Sequence, residues 1–294
     1  MTAPATTSTD PRSRTDGLGW VTRAALRRAD LVLPTSASVT EEMTARYRIP
    51  VARTATLSWG VDDDLLRLRD TVHRPGVRDA FGIPAAATVL LSVRSAAPVY
   101  RTDDILRAFA QVAEERPDLH LVVLAGHEPA ESGAAEARTG CLARAAELAE
   151  SLPGRVTLVR RTLTGQETFA LMCASDIAVS VPRWDQRSSS VLEAALAGCR
   201  LLLADLPPYR ELLADGLVAE LVPEPLGAGL AGLLRTAGSL PERDRSANRS
   251  FIETSETWSR QVSAMQGFYR RLSAGARPPA GRPTTPRPGA GERS

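Results

Sequence analysis

The stretch Trp184-Asp185-Gln186-Arg187-Ser188-Ser189-Ser190-Val191-Leu192-Glu193-Ala194-Ala195-Leu196-Ala197-Gly198-Cys199 decides the fold. One apolar run, Ile177 to Val181, comes just before it, and another, Leu201 to Ala204, just after. Apolar run, polar loop, short helix and apolar run is the order of a β-loop-α-β unit. The loop falls where the first strand ends and the helix begins. In an open parallel sheet that corner faces the ligand crevice. Ser188, Ser189 and Ser190 lead into the first helical turn, so backbone N–H groups and hydroxyls can converge there on an anion. Two acids, Asp185 and Glu193, bracket the turn. This corner reads as the place where a phosphate-bearing donor is held.

Working outward, the same alternation repeats. The apolar runs predict strands at Val89–Val93, Leu119–Leu124, Arg155–Val159, Ile177–Val181, Leu201–Ala204 and Val218–Val222. Helical spacing falls between them, at Asp103–Arg116, Ala134–Ser151, Gln166–Ala174, Ser189–Ala197 and Tyr209–Ala214. Strands alternating with helices over this length predict an α/β fold with a doubly wound parallel sheet. Ahead of the alternation come a helix at Trp20–Ala29, a short strand at Leu31–Leu33, and a helix at Ser38–Tyr47 that Ser38 can cap. A short strand at Thr54–Leu57 and a helix at Pro75–Phe81 follow. Helices at Leu226–Ala237, Glu242–Glu253 and Thr257–Leu272 follow the last strand. Residues 1–16, rich in Thr, Ser and Pro, read as a disordered leader, and residues 273–294, rich in Pro, Gly and Arg, as a disordered tail.

Composition excludes several function classes. Apolar content of 43% permits a sizeable core. Aromatic content of only 4% disfavours a single-stranded nucleic-acid platform built on stacking. A net charge of +2 is too small to argue for nucleic acid or a membrane surface. All 36 basic residues are arginine, so any cation that meets a phosphate must be one. Cys141, Cys173 and Cys199 lie far apart, without zinc-ligand or disulfide-framework spacing, and are expected to be reduced core thiols. No metal site is expected. No apolar run reaches the length of a membrane helix and no secretory h-region opens the chain, so a cytoplasmic enzyme without a membrane span is expected.

The residues also carry a family likeness. Ala29-Asp30-Leu31-Val32-Leu33-Pro34-Thr35-Ser36 is similar to an "ADLV…S" strand and turn, and Gly60-Val61-Asp62 to the end of an "NGVD" segment. Asp104 to Phe109 resembles a helix carrying "LL.AF". Ala174-Ser175-Asp176 stands before the key strand as "AD" does. Asp185, Glu193 and Ala194-Ala195-Leu196-Ala197-Gly198 fit an E-x7-E element and a "LEAMA.G" helix. The branch reading "SDG.S.S.LEA" is the nearer match, extended by Asp205-Leu206-Pro207 and Arg210-Glu211. The chain thus resembles the donor-binding half of a GT-B glycosyltransferase of family 4 (glycosyl transferases group 1), with a Rossmann-like sheet.

That resemblance implies a sugar moved from a nucleotide-sugar donor to an unknown acceptor, with retention and without a metal or other cofactor. It divides the chain into residues 17–60, a remnant of the N-terminal acceptor domain, 61–255, the donor domain, and 256–272, a helix crossing back. It puts Glu193 on the donor ribose, Asp185 on the transferred sugar, and Arg94, Ser188, Ser189 and Ser190 on the diphosphate. The sequence departs from the family in three places. Its first glutamate is Asp185, its asparagine is Trp59, and its Arg–Lys pair becomes Arg94 with Arg101 as the candidate substitute for the lysine. Most of the family's first domain has no counterpart, which leaves room for a gene start placed late, a fragment, or a partner chain that supplies it.

Each of these residues has a plainer role open to it. Glu193 suits a helix N-terminus as any acid does. Asp185 could cap the helix or pair with Arg183 or Arg187. Ser188 and Ser190 could be simple caps. Arg94 could serve an ion pair, and Arg101 a solvated loop. His120, inside a strand, is expected to be a satisfied core residue. His73 is expected to be solvated in a polar linker, while His127 follows a strand's ligand end and could reach the cleft. Two other functions stay open: a donor-binding domain without turnover, and, by fold alone, a sugar-nucleotide epimerase.

Overall fold

The computed structural model describes residues 19–126 and 132–275. The expected leader, His127, and the expected tail beyond Gly275 lie outside the described residues. Contacts divide the chain into two compact units, one of Ser58–Ser263 and one of the residues up to Leu57 with those from Ala264 onward.

In the smaller unit, α1 (Gly19–Arg28) and α2 (Ala37–Tyr47) precede a short extended crossing. The cap of α2 is Ser36, whose hydroxyl accepts from the Val39 N–H at 3.3 Å, two residues before the expected Ser38. The predicted strands at Leu31–Leu33 and Thr54–Leu57 form a single bridge, Val32 to Thr54, rather than a ladder. Ala55, Leu57 and Phe268 are buried together here, with Leu31, Leu33, Ala264 and Met265 packed around them.

The larger unit opens with α3 (Asp63–Arg69) and α4 (Arg74–Ala80). The apolar pattern did not predict α3. It is seven residues long and rests on its cap, in which the Asp62 carboxylate accepts from the Asp64 N–H at 2.9 Å. Then comes the alternation: β1 (Thr88–Ser95), α5 (Thr102–Val112), β2 (Leu119–Leu124), α6 (Ser132–Ser151), β3 (Val156–Val159) and α7 (Gly165–Ala174). It continues through β4 (Ile177–Ser180), α8 (Ser189–Ala197), β5 (Arg200–Leu203), α9 (Pro207–Ala214) and β6 (Glu220–Leu221). The described residues close with α10 (Leu226–Thr236), α11 (Glu242–Ser255) and α12 (Trp258–Ser273). No helix among the described residues is long and apolar enough to cross a membrane.

The sheet is wholly parallel, in the order β3-β2-β1-β4-β5-β6. Helices cover both faces, so its strands read as continuous apolar runs rather than alternating ones. Val89, Leu90 and Leu91 of β1 have no solvent exposure. Leu91 lies between Val122 of β2 and Ala178 of β4. Burying each such leucine stabilises the fold by about 1.5–3 kcal/mol. Ile105, Leu106, Phe109 and Val112 form the buried stripe of α5, which packs against α10. The predicted strand Val218–Val222 shrinks to Glu220–Leu221 because the Asn248 side chain takes both the N–H and the C=O of Val218, at 2.7 and 3.0 Å.

The chain reverses direction across the sheet between β1 and β4. In a doubly wound sheet the crevice beyond the carboxyl ends of two such strands is where ligands sit. Arg94 ends β1, and the stretch from Val181 to Ser190 follows β4.

Candidate functional site

Arg94 reaches the crevice through an irregularity in β1. Regular pairing runs to Ser92, opposite Val123 of β2 and Val179 of β4, and resumes at Ser95 opposite Leu124. Val93 and Arg94 therefore leave the ladder. Bulges of this kind bend a strand and re-aim a side chain. Nη1 of Arg94 donates to Ser188 Oγ at 2.9 Å and to Ser190 Oγ at 3.0 Å. Nη2 donates to the Tyr100 hydroxyl at 3.2 Å, and the guanidinium lies 4.5 Å from the centre of the Tyr100 ring. Asp185 Oδ1 is 3.8 Å from Nη2, a loose ion pair.

The two serines belong to the start of α8. Ser188 is its N-cap residue by backbone, yet its hydroxyl makes no capping hydrogen bond. Simple capping therefore does not account for Ser188, whose oxygen is engaged by Arg94. The two hydroxyls lie 3.3 Å apart, so one donates to the other and the second keeps its proton free to donate. The first turn of α8 adds backbone N–H groups without intrahelical partners and the positive end of the helix dipole. Together they present positive charge and donors to one point, an arrangement suited to an anion. Ser189 is exposed in the same turn and takes no part in the Arg94 hydrogen bonds.

The two acids have different surroundings. Asp185 Oδ1 accepts from the Gln186 N–H at 2.8 Å, and Oδ2 accepts from the Tyr209 hydroxyl at 2.8 Å. Glu193, on α8, accepts no hydrogen bond among the described residues. Burial first, and the Asp62 carboxylate second, push its pKa from 4.5 up to about 7. A partly buried acid without donors of its own is suited to receive hydroxyl groups from a ligand.

Arg187 is not the partner of Asp185. It is buried and donates instead to Glu256 Oε1 at 2.6 Å and to Asp215 Oδ2 at 2.9 Å. Burial disfavours its charge, and these two carboxylates more than offset that, so its pKa rises. The pair ties the loop before α8 to the segment Glu256–Trp258, which runs beside Val61. That approach requires Gly60, where φ is +75° and a Cβ would stand 2.9 Å from the Glu256 carbonyl oxygen. Nothing in the linear sequence marks this pairing of residues so far apart.

The remaining candidates have partners of their own. Arg101 has a left-handed backbone, φ 52°, and pairs with Asp104 at 3.0 Å and Glu224 at 3.8 Å. Its neighbour Tyr100 is the residue that hydrogen-bonds Arg94. His120 is buried between the Gly154 carbonyl at 3.1 Å and Thr157 Oγ1 at 2.8 Å, and burial lowers its pKa. His73 is no bystander: its Nδ1 caps α4 by accepting from the Gly76 N–H at 3.2 Å. Cys141, Cys173 and Cys199 are free and buried.

Tyr100, Ser180 and Tyr209 went unnoticed as site residues, because a lone tyrosine or serine in an apolar run carries no sequence signal of what its hydroxyl meets. A cavity of about 490 Å³ lies at the other end of β1 and β4, lined by Arg74, Arg78, Asp176 and Ser239 among others. Asp176 is already saturated there. It accepts from the Arg78 side chain at 2.8 Å, the Val89 N–H at 2.9 Å, Arg74 at 3.0 Å and Ser239 at 3.1 Å.

Comparison with known proteins agrees with the geometry. The family described as glycosyl transferases group 1 matches residues 74–251. A D-inositol 3-phosphate glycosyltransferase of Streptomyces avermitilis is 28% identical over 247 residues, covering 82% of this chain and 52% of the relative. One from Catenulispora acidiphila is 28% identical over 265 residues, covering 84% and 60%. The chain thus spans about half the length of the curated relatives it matches. Among solved structures, sucrose-phosphate synthase of Thermosynechococcus elongatus superposes with a TM-score of 0.71 at 21% identity, over 91% of this chain and 65% of that one. Anabaena HepE in complex with UDP and glucose superposes with a TM-score of 0.64 at 18% identity, over 87% and 66%. The fold shared with these structures is that of the C-terminal half of a GT-B glycosyltransferase.

Proposed function

The chain belongs to the glycosyl transferases group 1 family, and on that premise we propose that the crevice beyond β1 and β4 holds a nucleotide-sugar and releases its sugar to an acceptor with retention, as in family 4. One observation carries this reading: Arg94 and the hydroxyls of Ser188 and Ser190 meet at the N-terminus of α8, and Glu193 stands on the same helix. A nucleotide-sugar carries a diphosphate whose charge grows as the glycosidic bond breaks. The guanidinium, a serine hydroxyl and the helix N-terminus would stabilise that charge. Glu193 would accept from the ribose hydroxyls and Asp185 from the transferred sugar. No metal or other cofactor is part of this reading. HepE, crystallised with UDP and glucose, makes UDP-glucose the first donor to try.

In the same reading residues 61–255 form the donor domain and 17–60 a remnant of the acceptor domain. The three buried thiols suit a reducing compartment such as the cytoplasm. Coverage of only about half of each inositol-phosphate relative favours a second reading: a donor-binding half that needs a facing domain, on its own chain or a partner's, for turnover.

Thermal shift with UDP, GDP and ADP tests the donor site, since a ligand that binds only the folded state raises the melting temperature. At least one should stabilise the wild type and not Arg94→Ala. If none does, the donor reading falls. A chain that binds a sugar-nucleotide yet neither hydrolyses nor transfers the sugar selects the second reading.

A further inference from the structure

Asp185 is one bond shorter than the glutamate that the family resemblance leads one to expect, so its position depends on what holds it. Tyr209 does. The ring sits two residues after Pro207 at the start of α9 and has no solvent exposure. Its packing fixes where the hydroxyl lies, 3.0 Å from Ser180 Oγ at the end of β4 and 2.8 Å from Asp185 Oδ2. The Gln186 N–H occupies the other oxygen of Asp185. Both torsions of a short carboxylate are thereby set, one oxygen by its own loop and the other by a rigid ring anchored to the sheet. Burial first, and the Asp185 carboxylate among the further causes, raise the Tyr209 pKa well above the usual tyrosine range, so the hydroxyl keeps its proton and remains a donor.

We infer that Tyr209 is the positioning residue that aims Asp185 at the transferred sugar, a role that rests on the donor reading above. The Tyr209 hydroxyl is taken up by Ser180 and Asp185, so it acts through Asp185. Its effect should therefore be confined to the sugar and absent from the nucleoside diphosphate.

The experiment compares, by titration calorimetry, UDP with UDP-glucose, GDP with GDP-glucose and ADP with ADP-glucose. For the pair that binds, the ratio of sugar-nucleotide affinity to diphosphate affinity is the readout. Tyr209→Phe keeps the ring and should lower that ratio at least fivefold, with diphosphate affinity unchanged within twofold. Asp185→Ala removes the acceptor of that hydrogen bond and should lower it similarly. Tyr209→Phe added to Asp185→Ala should change the ratio no further, whereas a purely structural tyrosine would add its own loss. An unchanged ratio in either single variant overturns the inference, as does a parallel loss of both affinities with a lowered melting temperature. If the wild type binds none of the six compounds, the donor reading falls and takes this inference with it. Binding with an unchanged ratio removes the inference alone.

Discussion

Strands β1 and β4 have an arginine and an aspartate at each end, and the two ends are built differently. At the amino end Arg78 and Asp176 meet at 2.8 Å, both with little exposure. The remaining Arg78 donors go to the carbonyls of Ala174, Ala85 and Ala87, and Asp176 also takes the Val89 N–H. Every group is spoken for, and each partner belongs to the fold. At the carboxyl end Arg94 and Asp185 stand 3.8 Å apart. The guanidinium leans on serine and tyrosine hydroxyls, which can rotate and re-pair. The same two side-chain types make a lock at one end and a receptive surface at the other. Satisfaction of the arginine by fixed backbone carbonyls distinguishes them, not charge.

The lock should show the largest effect when broken. Asp176→Ala leaves Arg78 buried without its carboxylate, and stranding one member of a buried pair costs about 3–5 kcal/mol. A melting curve should shift down by roughly 10 °C or more, with diphosphate affinity unchanged below the transition. Lost binding at an unchanged melting temperature would reverse the roles assigned to the two ends.

Arg94→Ala should do the opposite. Charge-assisted hydrogen bonds are worth about 1.5–3 kcal/mol each, so diphosphate affinity should fall roughly 10- to 100-fold, while melting moves by little. Calorimetry that finds wild-type affinity in this variant removes Arg94 from the site.

Glu193 gives a pH-dependent contrast. Its pKa in the folded chain, about 7, stands above the ordinary 4.5. Below pH 4.5 the group is protonated folded or unfolded. As pH rises toward 7, ionisation favours the unfolded chain, and the stability tied to the protonated form is lost. The shift corresponds to at most about 3 kcal/mol. Glu193→Gln should therefore raise the melting temperature relative to wild type at pH 8 and leave it nearly equal at pH 4. Equal differences at both pH values would contradict the raised pKa.

The smallest effect is expected at Arg101. Its ion pairs are partly exposed and worth under about 1 kcal/mol. Its left-handed backbone costs a non-glycine residue roughly 1–2 kcal/mol. Arg101→Gly should be neutral or slightly stabilising, and diphosphate affinity should stay within twofold. A tenfold loss would restore Arg101 as the substitute for the family lysine.

What the sequence made legible follows from what is local. The β4-loop-α8-β5 unit stood out because Ile177–Val181 and Leu201–Ala204 are apolar runs around a short helix. Its neighbours followed by the same periodicity. The meeting of Arg94 with Ser188 and Ser190 could be expected at the level of strand ends, since all three lie where strands of a parallel sheet point. The details could not. The Arg187–Glu256 pair depends on tertiary proximity, and Tyr209 reaches Asp185 only because α9 starts at Pro207 in a particular orientation. The helix α3 was missed for the converse reason: seven residues held by one cap leave too little periodicity to read. Arg101 pairs with Asp104 and Glu224 from a left-handed backbone that its residue type does not announce.

The irregular end of β1 has an evolutionary corollary. Two residues, Val93 and Arg94, stand between successive paired positions, and two residues are one full pleat. Such a dipeptide can be gained or lost as a cassette without turning any other strand residue from one face of the sheet to the other. Lineages could thus acquire or discard the cation while inheriting the rest of the architecture intact.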